Sequence, residues 1–155
     1  MELREIGRVV AQEEGCYIQV DKKYLKAIEG LDGFLHINVI CWFDRCDNNE
    51  CRETLQVKKP YKKAPDTLGV FATRSPERPN PIALSITEII HIDHEEGRIY
   101  VTYIDVMDNT PVLDIKPYTT SIDRVKEIRV PDWCSHWPNS YEESSEFDWE
   151  SEFLF

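Results

Sequence analysis

The stretch IALSITEIIHIDHEEGRIYVTYI, residues 82–104, decides the fold. Ile82, Leu84 and Ile86 alternate with Ala83, Ser85 and Thr87, the two-residue period of a half-buried strand. Residues 93–98, DHEEGR, are polar and contain a glycine, which suits a hairpin connection. Beyond them Ile99, Val101 and Tyr103 alternate with Tyr100, Thr102 and Ile104. Two strands joined so briefly run antiparallel, because a parallel return needs a crossover of about a dozen residues or more.

Upstream, FLHINVICWF at 34–43 is a dense run of β-formers and reads as a central strand. Shorter apolar segments add strands around Leu3, Ile6, Val9 and Val10, over Tyr17–Val20, over Leu68–Thr73, and at Val125, Ile128 and Val130. One helix stands out: Asp21 is placed to cap KKYLKAIEG, which buries Tyr24, Leu25 and Ile28 and stops at Gly30. The hydrophilic DRCDNNEC, 44–51, reads as a loop. Many short strands, a hairpin and one or two short helices describe a mainly β protein, a small antiparallel β-barrel. The barrel is expected over residues 1–130 and an acidic, aromatic tail over 131–155, with no internal repeat.

A chain of 155 residues is long enough to bury one core of its own. No apolar run approaches the roughly 18 to 20 residues of a membrane span. The opening MELREIGRVV has no apolar stretch behind a basic leader. Five cysteines, an odd number, point to reduced thiols. The expectation is a cytoplasmic protein with no membrane partner.

Net charge is −11, and seven acids with no Lys or Arg lie from residue 131 onward. That balance does not favour long-range attraction to nucleic acid. VKKPYKK, 57–63, is a local exception, with Lys58, Lys59, Lys62 and Lys63 around Tyr61. The tail, SYEESSEFDWESEFLF, reads either as solvated disorder or, given its aromatics, as a segment docked on this or a neighbouring subunit. No metal is expected. Cys46 and Cys51, with Cys134 and His136, fit zinc spacing only loosely. His36 and Cys41, within the apolar run, read as core residues.

GVFATRSPERPNPIALS, 69–85, is a stiff loop between apolar segments. Ser75, Arg78 and Asn80 each precede a proline, which fixes its own φ and keeps its predecessor out of the helical region. Arg74 and Arg78 are therefore presented on a rigid scaffold, which suits an arginine fork that must meet a carboxylate or phosphate. In YIDVMDNTPVLDIKPY, 103–118, Asp105 ends an alternating strand and Asn109 suits a left-handed turn. Asp114 and Lys116 lie two apart on one side of an extended segment, placed to pair.

These two stretches together closely resemble the paired signatures of the TrmO (TsaA-like, YaeB-like) family. GLDGFLHINVICWF resembles that family's "GLxxFSHLWVLYWF" segment, and the likeness covers about Ile6 to Tyr118. The resemblance implies a small β-barrel that binds S-adenosylmethionine, and a homodimer with cofactor sites close to the subunit interface. It also implies methylation of the exocyclic nitrogen of threonylcarbamoyl-adenosine beside the tRNA anticodon. A small-molecule methyl acceptor and a non-catalytic S-adenosylmethionine-binding module are the rival readings, because a barrel scaffold does not fix its function.

Carried over position by position, the resemblance places the cofactor on Arg74 of the ATRS segment, on Asp44 and Arg45 after the aromatic strand, on Ile86, and on Ile104, Asp105, Val106 and Met107. Asp44 and Arg45 stand where the family has His-Gln, and Ala83 where it has Gly. Arg78, Asn80 and Lys116 are candidate substrate contacts. Asp105, Asp108 and Tyr118 are the candidates for a base that removes a proton from the attacking nitrogen.

Overall fold

The computed structural model describes residues 2–13 and 15–155. It divides into two compact units, Met1–Asp47 with Asn80–Arg124 and Asn48–Pro79 with Val125–Phe155. The barrel closes without residues 48–79, which form a sheet of their own.

The first unit is the barrel. Its strands are β1 (Gly7–Gln12), β2 (Gly15–Val20), β3 (His36–Trp42), β6 (Ile82–Asp93), β7 (Arg98–Val101) and β8 (Pro111–Pro117). They close in the order β1-β2-β7-β6-β3-β8, every neighbouring pair antiparallel. Closure leaves no sheet edge to be satisfied by another chain. Val9, Ile18, Ile37, Val39, Cys41, Ile99, Val101 and Val112 fill the interior. Burial pushes the Cys41 thiol up to about 12, so it stays a neutral core residue. Gly7 is required where β1 crosses β2, because a Cβ there would collide with the Gln19 carbonyl.

The alternation in β6 is real, but its faces are the reverse of a hydrophobic-in pattern. Ala83 and Thr87 point inward, while Ile82 is 40% and Leu84 50% exposed. Register is the cause: Ala83 pairs with Cys41 and Thr87 with Ile37, both interior positions of β3. A six-stranded barrel is narrow inside, and small side chains fit there. An irregularity between Ile89 and His91 then shifts the phase so that Ile92 enters the core.

Other expectations change in detail. Residues Lys22–Ile28 form a 3₁₀ helix that buries only Ile28, and the Asp21 side chain caps nothing. Instead the Asp21 amide donates to the Ile6 carbonyl and its own carbonyl accepts from Tyr24. The predicted loop 44–51 contains a 3₁₀ turn, Asp44–Cys46, and the start of helix α1 (Asn49–Glu53), whose N-cap is Asn48. Of Leu68–Thr73, only its start lies in a strand, followed by a 3₁₀ turn at Val70–Ala72. Val125, Ile128 and Val130 form no strand and are 64%, 67% and 52% exposed. A short helix, α2 (Thr120–Asp123), follows β8, and Asn38 Nδ2 donates to its Asp123 at 3.0 Å.

The second unit is built on a two-stranded sheet, β4 (Gln56–Lys58) with β5 (Thr67–Gly69). Tyr61, Ala64 and Leu68 form its core, with Trp133 and Trp137 packed on them. The acidic segment carries two short helices, α3 (Tyr141–Ser144) and α4 (Trp149–Glu152). It docks on its own chain, where Phe153 makes an antiparallel bridge to Tyr61. Among the described residues, no helix is long and apolar enough to cross a membrane.

Candidate functional site

Strand direction gathers most of the predicted site at one rim of the barrel. At that rim β1, β3 and β7 end and β2, β6 and β8 begin, as the registers Gln12↔Gly15, Trp42↔Ile82 and Cys16↔Val101 require. Asp44 and Arg45 leave the top of β3 in an exposed 3₁₀ turn. The turn is held by the Cys46 amide on the Phe43 carbonyl at 2.9 Å, and by Trp42 Nε1 donating to Asp47 at 3.1 Å. Asn80 opens β6 beside it, its carbonyl accepting from the Ile82 amide at 2.7 Å. Ile86 is half-buried further along β6, opposite Asn38.

The segment after β7 completes the rim. Strand pairing stops at Val101, so Asp105 lies in an irregular loop rather than at a strand end. Ile104 is buried in the core and anchors that loop. The Val106 amide donates to the Ile104 carbonyl at 2.8 Å, and Thr110 Oγ1 donates to the Met107 carbonyl at 2.7 Å. The other side is tied to β1: the Asn109 amide reaches the Val9 carbonyl at 2.8 Å and the Ala11 amide reaches Asp108 Oδ1 at 2.9 Å. Asn109 has φ 67, the left-handed turn its residue type favours.

Between these anchors stand exposed groups of mixed chemistry. Tyr103 is 61% and Met107 59% exposed. The Tyr103 hydroxyl donates to Asp105 Oδ1 at 3.1 Å. Burial and the Asp105 charge push that hydroxyl up from its usual range, so it remains a donor and orients the carboxylate. Beneath, Cys16 faces the same loop. Its thiol is pushed up by burial and by Asp108 and pulled back by the Ile104 backbone.

The arginine loop belongs to the second unit. Arg78 Nη2 donates to the Val70 and Thr73 carbonyls, each at 2.7 Å. That guanidinium braces its own loop. Its Nε is buried without a hydrogen-bond partner. Arg74 is exposed, and its backbone hydrogen-bonds the buried Tyr61 hydroxyl. Arg78 is thus an internal strut of the loop, and the Arg74 side chain is exposed.

Three predicted residues fall elsewhere, the first being Ile86, which flanks Asn38 in an outward-facing row of the barrel wall. The Tyr118 amide donates to the His36 carbonyl at 3.0 Å, which puts Tyr118 at the opposite rim. Lys116 lies on the outer wall opposite Asn38, ion-paired to Asp114 at 2.6 Å as their spacing allows. Among the described residues, no group of three or more His, Cys, Asp or Glu comes together as metal ligands would. Cys51 Sγ accepts from Asn48, Cys134 Sγ donates to the Pro131 carbonyl, and His136 meets Glu152. Sequence reasoning missed the Tyr103 hydroxyl and the Tyr61–Arg74 link. Both are aromatic residues whose alternation or apolar neighbours signal packing and hide the polar tip.

Fold and site define a class: a small closed antiparallel barrel with a polar, aromatic loop cluster at one rim. Comparison with known proteins makes this specific. The tRNA-methyltransferase O N-terminal domain matches residues 6–124, and the chain belongs to the TrmO family. An S-adenosyl-L-methionine-binding protein of Archaeoglobus fulgidus is 36% identical over 111 residues, 72% of this chain and 74% of its own length. The human tRNA (adenine(37)-N6)-methyltransferase is 35% identical over 105 residues, covering 68% of this chain and 23% of its own. A crystal structure of TrmO superposes with TM-score 0.64 at 27% identity, over 84% of this chain and 62% of that one. The chain therefore spans most of the archaeal relative, under two thirds of the solved TrmO chain and about a quarter of the human protein.

Proposed function

We propose that this chain is an S-adenosylmethionine-dependent methyltransferase whose acceptor is the exocyclic nitrogen of threonylcarbamoyl-adenosine in tRNA, beside the anticodon. The observation that carries it is the rim: the turn with Asp44 and Arg45 follows β3 and the loop Ile104–Met107 follows β7, two strands that end on the same side of the barrel, in a chain of the TrmO family. The family's human and archaeal relatives are named for the methyl transfer and for the cofactor.

The donor set suits the cofactor. Asp105 is an exposed carboxylate held by Tyr103, able to accept from an amine or ribose hydroxyl. Tyr103 and Met107 offer exposed apolar surface to an adenine. The role of Arg74 rests on its motif and chemistry, a guanidinium fork for a carboxylate. The cofactor supplies an electrophilic methyl group on a sulfonium. The acceptor nitrogen forms its bond to that carbon as the carbon–sulfur bond breaks, and the nitrogen loses a proton. Holding the partners in line supplies much of the rate. Of the three candidate bases we assign Asp105, whose exposed carboxylate is oriented by the Tyr103 hydroxyl, while Asp108 braces the Ala11 backbone and Tyr118 is at the other rim.

The functional unit on this reading is a cytoplasmic homodimer. Ile82, Leu84 and Ile90, exposed on the outer wall of β6, are apolar surface for a second copy, and sedimentation velocity measures that assembly. A second reading is cofactor binding without turnover, favoured by the archaeal relatives being named only for binding. Titration calorimetry with S-adenosylmethionine, followed by incubation with tRNA carrying threonylcarbamoyl-adenosine, tests both. Binding with methylated nucleoside supports the first reading. Binding without product from tRNA or small acceptors supports the second, and no binding removes both.

A further inference from the structure

We propose that the basic ribbon Lys58–Lys63 is a polyanion-binding surface, the contact for the tRNA backbone, and that the acidic segment 141–155 of the same unit competes with that backbone for it. The backbone's identity rests on the tRNA reading above; the competition does not. Pro60, Tyr61 and Ala64 turn inward while Lys58, Lys59, Lys62 and Lys63 are all exposed. Burial of the ribbon's apolar residues thus fixes its lysines on the outside, four charges in six residues. Such a cluster gains affinity for phosphates by releasing their counterions.

The end of the acidic segment pairs with this ribbon through one isolated antiparallel bridge. The Lys62 amide donates to the Glu152 carbonyl at 3.1 Å, and the Leu154 amide to the Pro60 carbonyl at 3.1 Å. Phe153 bridges to Tyr61, ring centroids 5.9 Å apart. The segment has six acids and no base. Glu152 is buried and anchors it, while Glu142, Glu143, Glu146, Asp148 and Glu150 are exposed. Lys62 is felt by the segment: Ser151 hydrogen bonds, and after them the Lys62 charge, hold Asp148 below the usual carboxylate range. A phosphate chain approaching the ribbon therefore meets the carboxylate of Asp148, on which the Lys62 charge already acts, and physiological salt screens that repulsion over roughly 8 Å.

The test uses the full chain in three further forms: E146Q/D148N/E150Q, K58Q/K59Q/K62Q/K63Q, and both sets together. Asp148→Asn keeps the oxygen that caps Ser151, and Trp149, Glu152 and Phe153 stay in place. Affinity for an unmodified tRNA transcript and for heparin is measured by fluorescence anisotropy over a salt series, after circular dichroism confirms folding. Neutralising the acids is expected to tighten binding roughly threefold to tenfold at low salt, with the gain shrinking as salt rises. The lysine variant should bind weakly, and the same acid changes should add little to it. Unchanged affinity for both polyanions, or an equal gain without the lysines, overturns the proposal. A gain on heparin with no form holding tRNA keeps the competition and removes the tRNA reading.

Discussion

Trp137 Nε1 donates to Glu152 Oε1 at 3.1 Å, tying the acidic segment to the aromatic core of the second unit. Glu152 is only 4% exposed, and His136 Nε2 lies 3.1 Å from its other oxygen. A buried carboxylate is costly unless its oxygens are filled, and here both are.

This pairing makes stability depend on acid. Burial raises the Glu152 pKa, but the His136 and Trp137 hydrogen bonds and the His136 and Lys62 charges outweigh it, and the value falls below the ordinary 4.5. A depressed carboxylate contributes stability above its unfolded value and loses it as pH drops through the folded one. Unfolding followed by tryptophan fluorescence should show the second unit weakening below 4.5. Glu152→Gln should cost about 1–3 kcal/mol at neutral pH and flatten that acid limb. An acid limb unchanged in the variant would assign the pH dependence to other groups.

The inverted faces of β6 give a packing prediction. Ala83 points into the barrel opposite Cys41, and Leu84 points out. Ala83→Leu should overpack the interior and cost about 1–3 kcal/mol, whereas Leu84→Ser should leave the stability of one subunit nearly unchanged. Paired urea titrations of the two variants check this. Equal losses would mean that both faces of the strand are packed.

The same strand shows what was legible. Period, hairpin and antiparallel pairing of residues 82–104 were readable because alternation and turn chemistry are local. Which face went inward was not, because register with β3 and the width of the barrel set it, and both are long-range. Val125, Ile128 and Val130 misled for a related reason: apolar spacing describes a strand only where a partner exists. At the site, the position of Asp44 and Arg45 after β3 was legible from the aromatic strand, whereas the irregular loop around Asp105 was not, because strand pairing stops at Val101. Arg74 and Arg78 carry the same chemistry in the sequence. The carbonyls of Val70 and Thr73, brought round by the 3₁₀ turn, give Arg78 a bracing contact that its residue type did not show.

That contact is measurable. Arg78→Ala leaves two carbonyls without their donor and should lower stability by about 1–3 kcal/mol. Arg74→Ala should weaken S-adenosylmethionine binding by about 1.5–3 kcal/mol, the scale of a charged hydrogen bond. Thermal unfolding and titration calorimetry on both variants distinguish the strut from the clamp. Full cofactor affinity in a folded Arg74→Ala chain would refute the clamp.

Tyr103 and Asp105 divide orientation from charge. Tyr103→Phe removes the hydroxyl that holds Asp105 Oδ1 at 3.1 Å and keeps the ring, so the carboxylate retains its charge and gains freedom. Asp105→Asn keeps the shape and removes the charge. If Asp105 binds the cofactor's amine or ribose, Asp105→Asn should weaken binding by about 1.5–3 kcal/mol. Tyr103→Phe should weaken it less, by about 0.5–1.5 kcal/mol. If Asp105 instead takes the proton from the acceptor nitrogen, Asp105→Asn should leave binding intact and lower the methylation rate, by about 10²–10⁴-fold for a lost general base. Calorimetry and single-turnover methylation on the two variants read these outcomes separately. Both exposed side chains lie in the loop that buried Ile104 anchors, so the fold should survive each change. Binding and turnover both unaltered in Asp105→Asn would remove this carboxylate from the site.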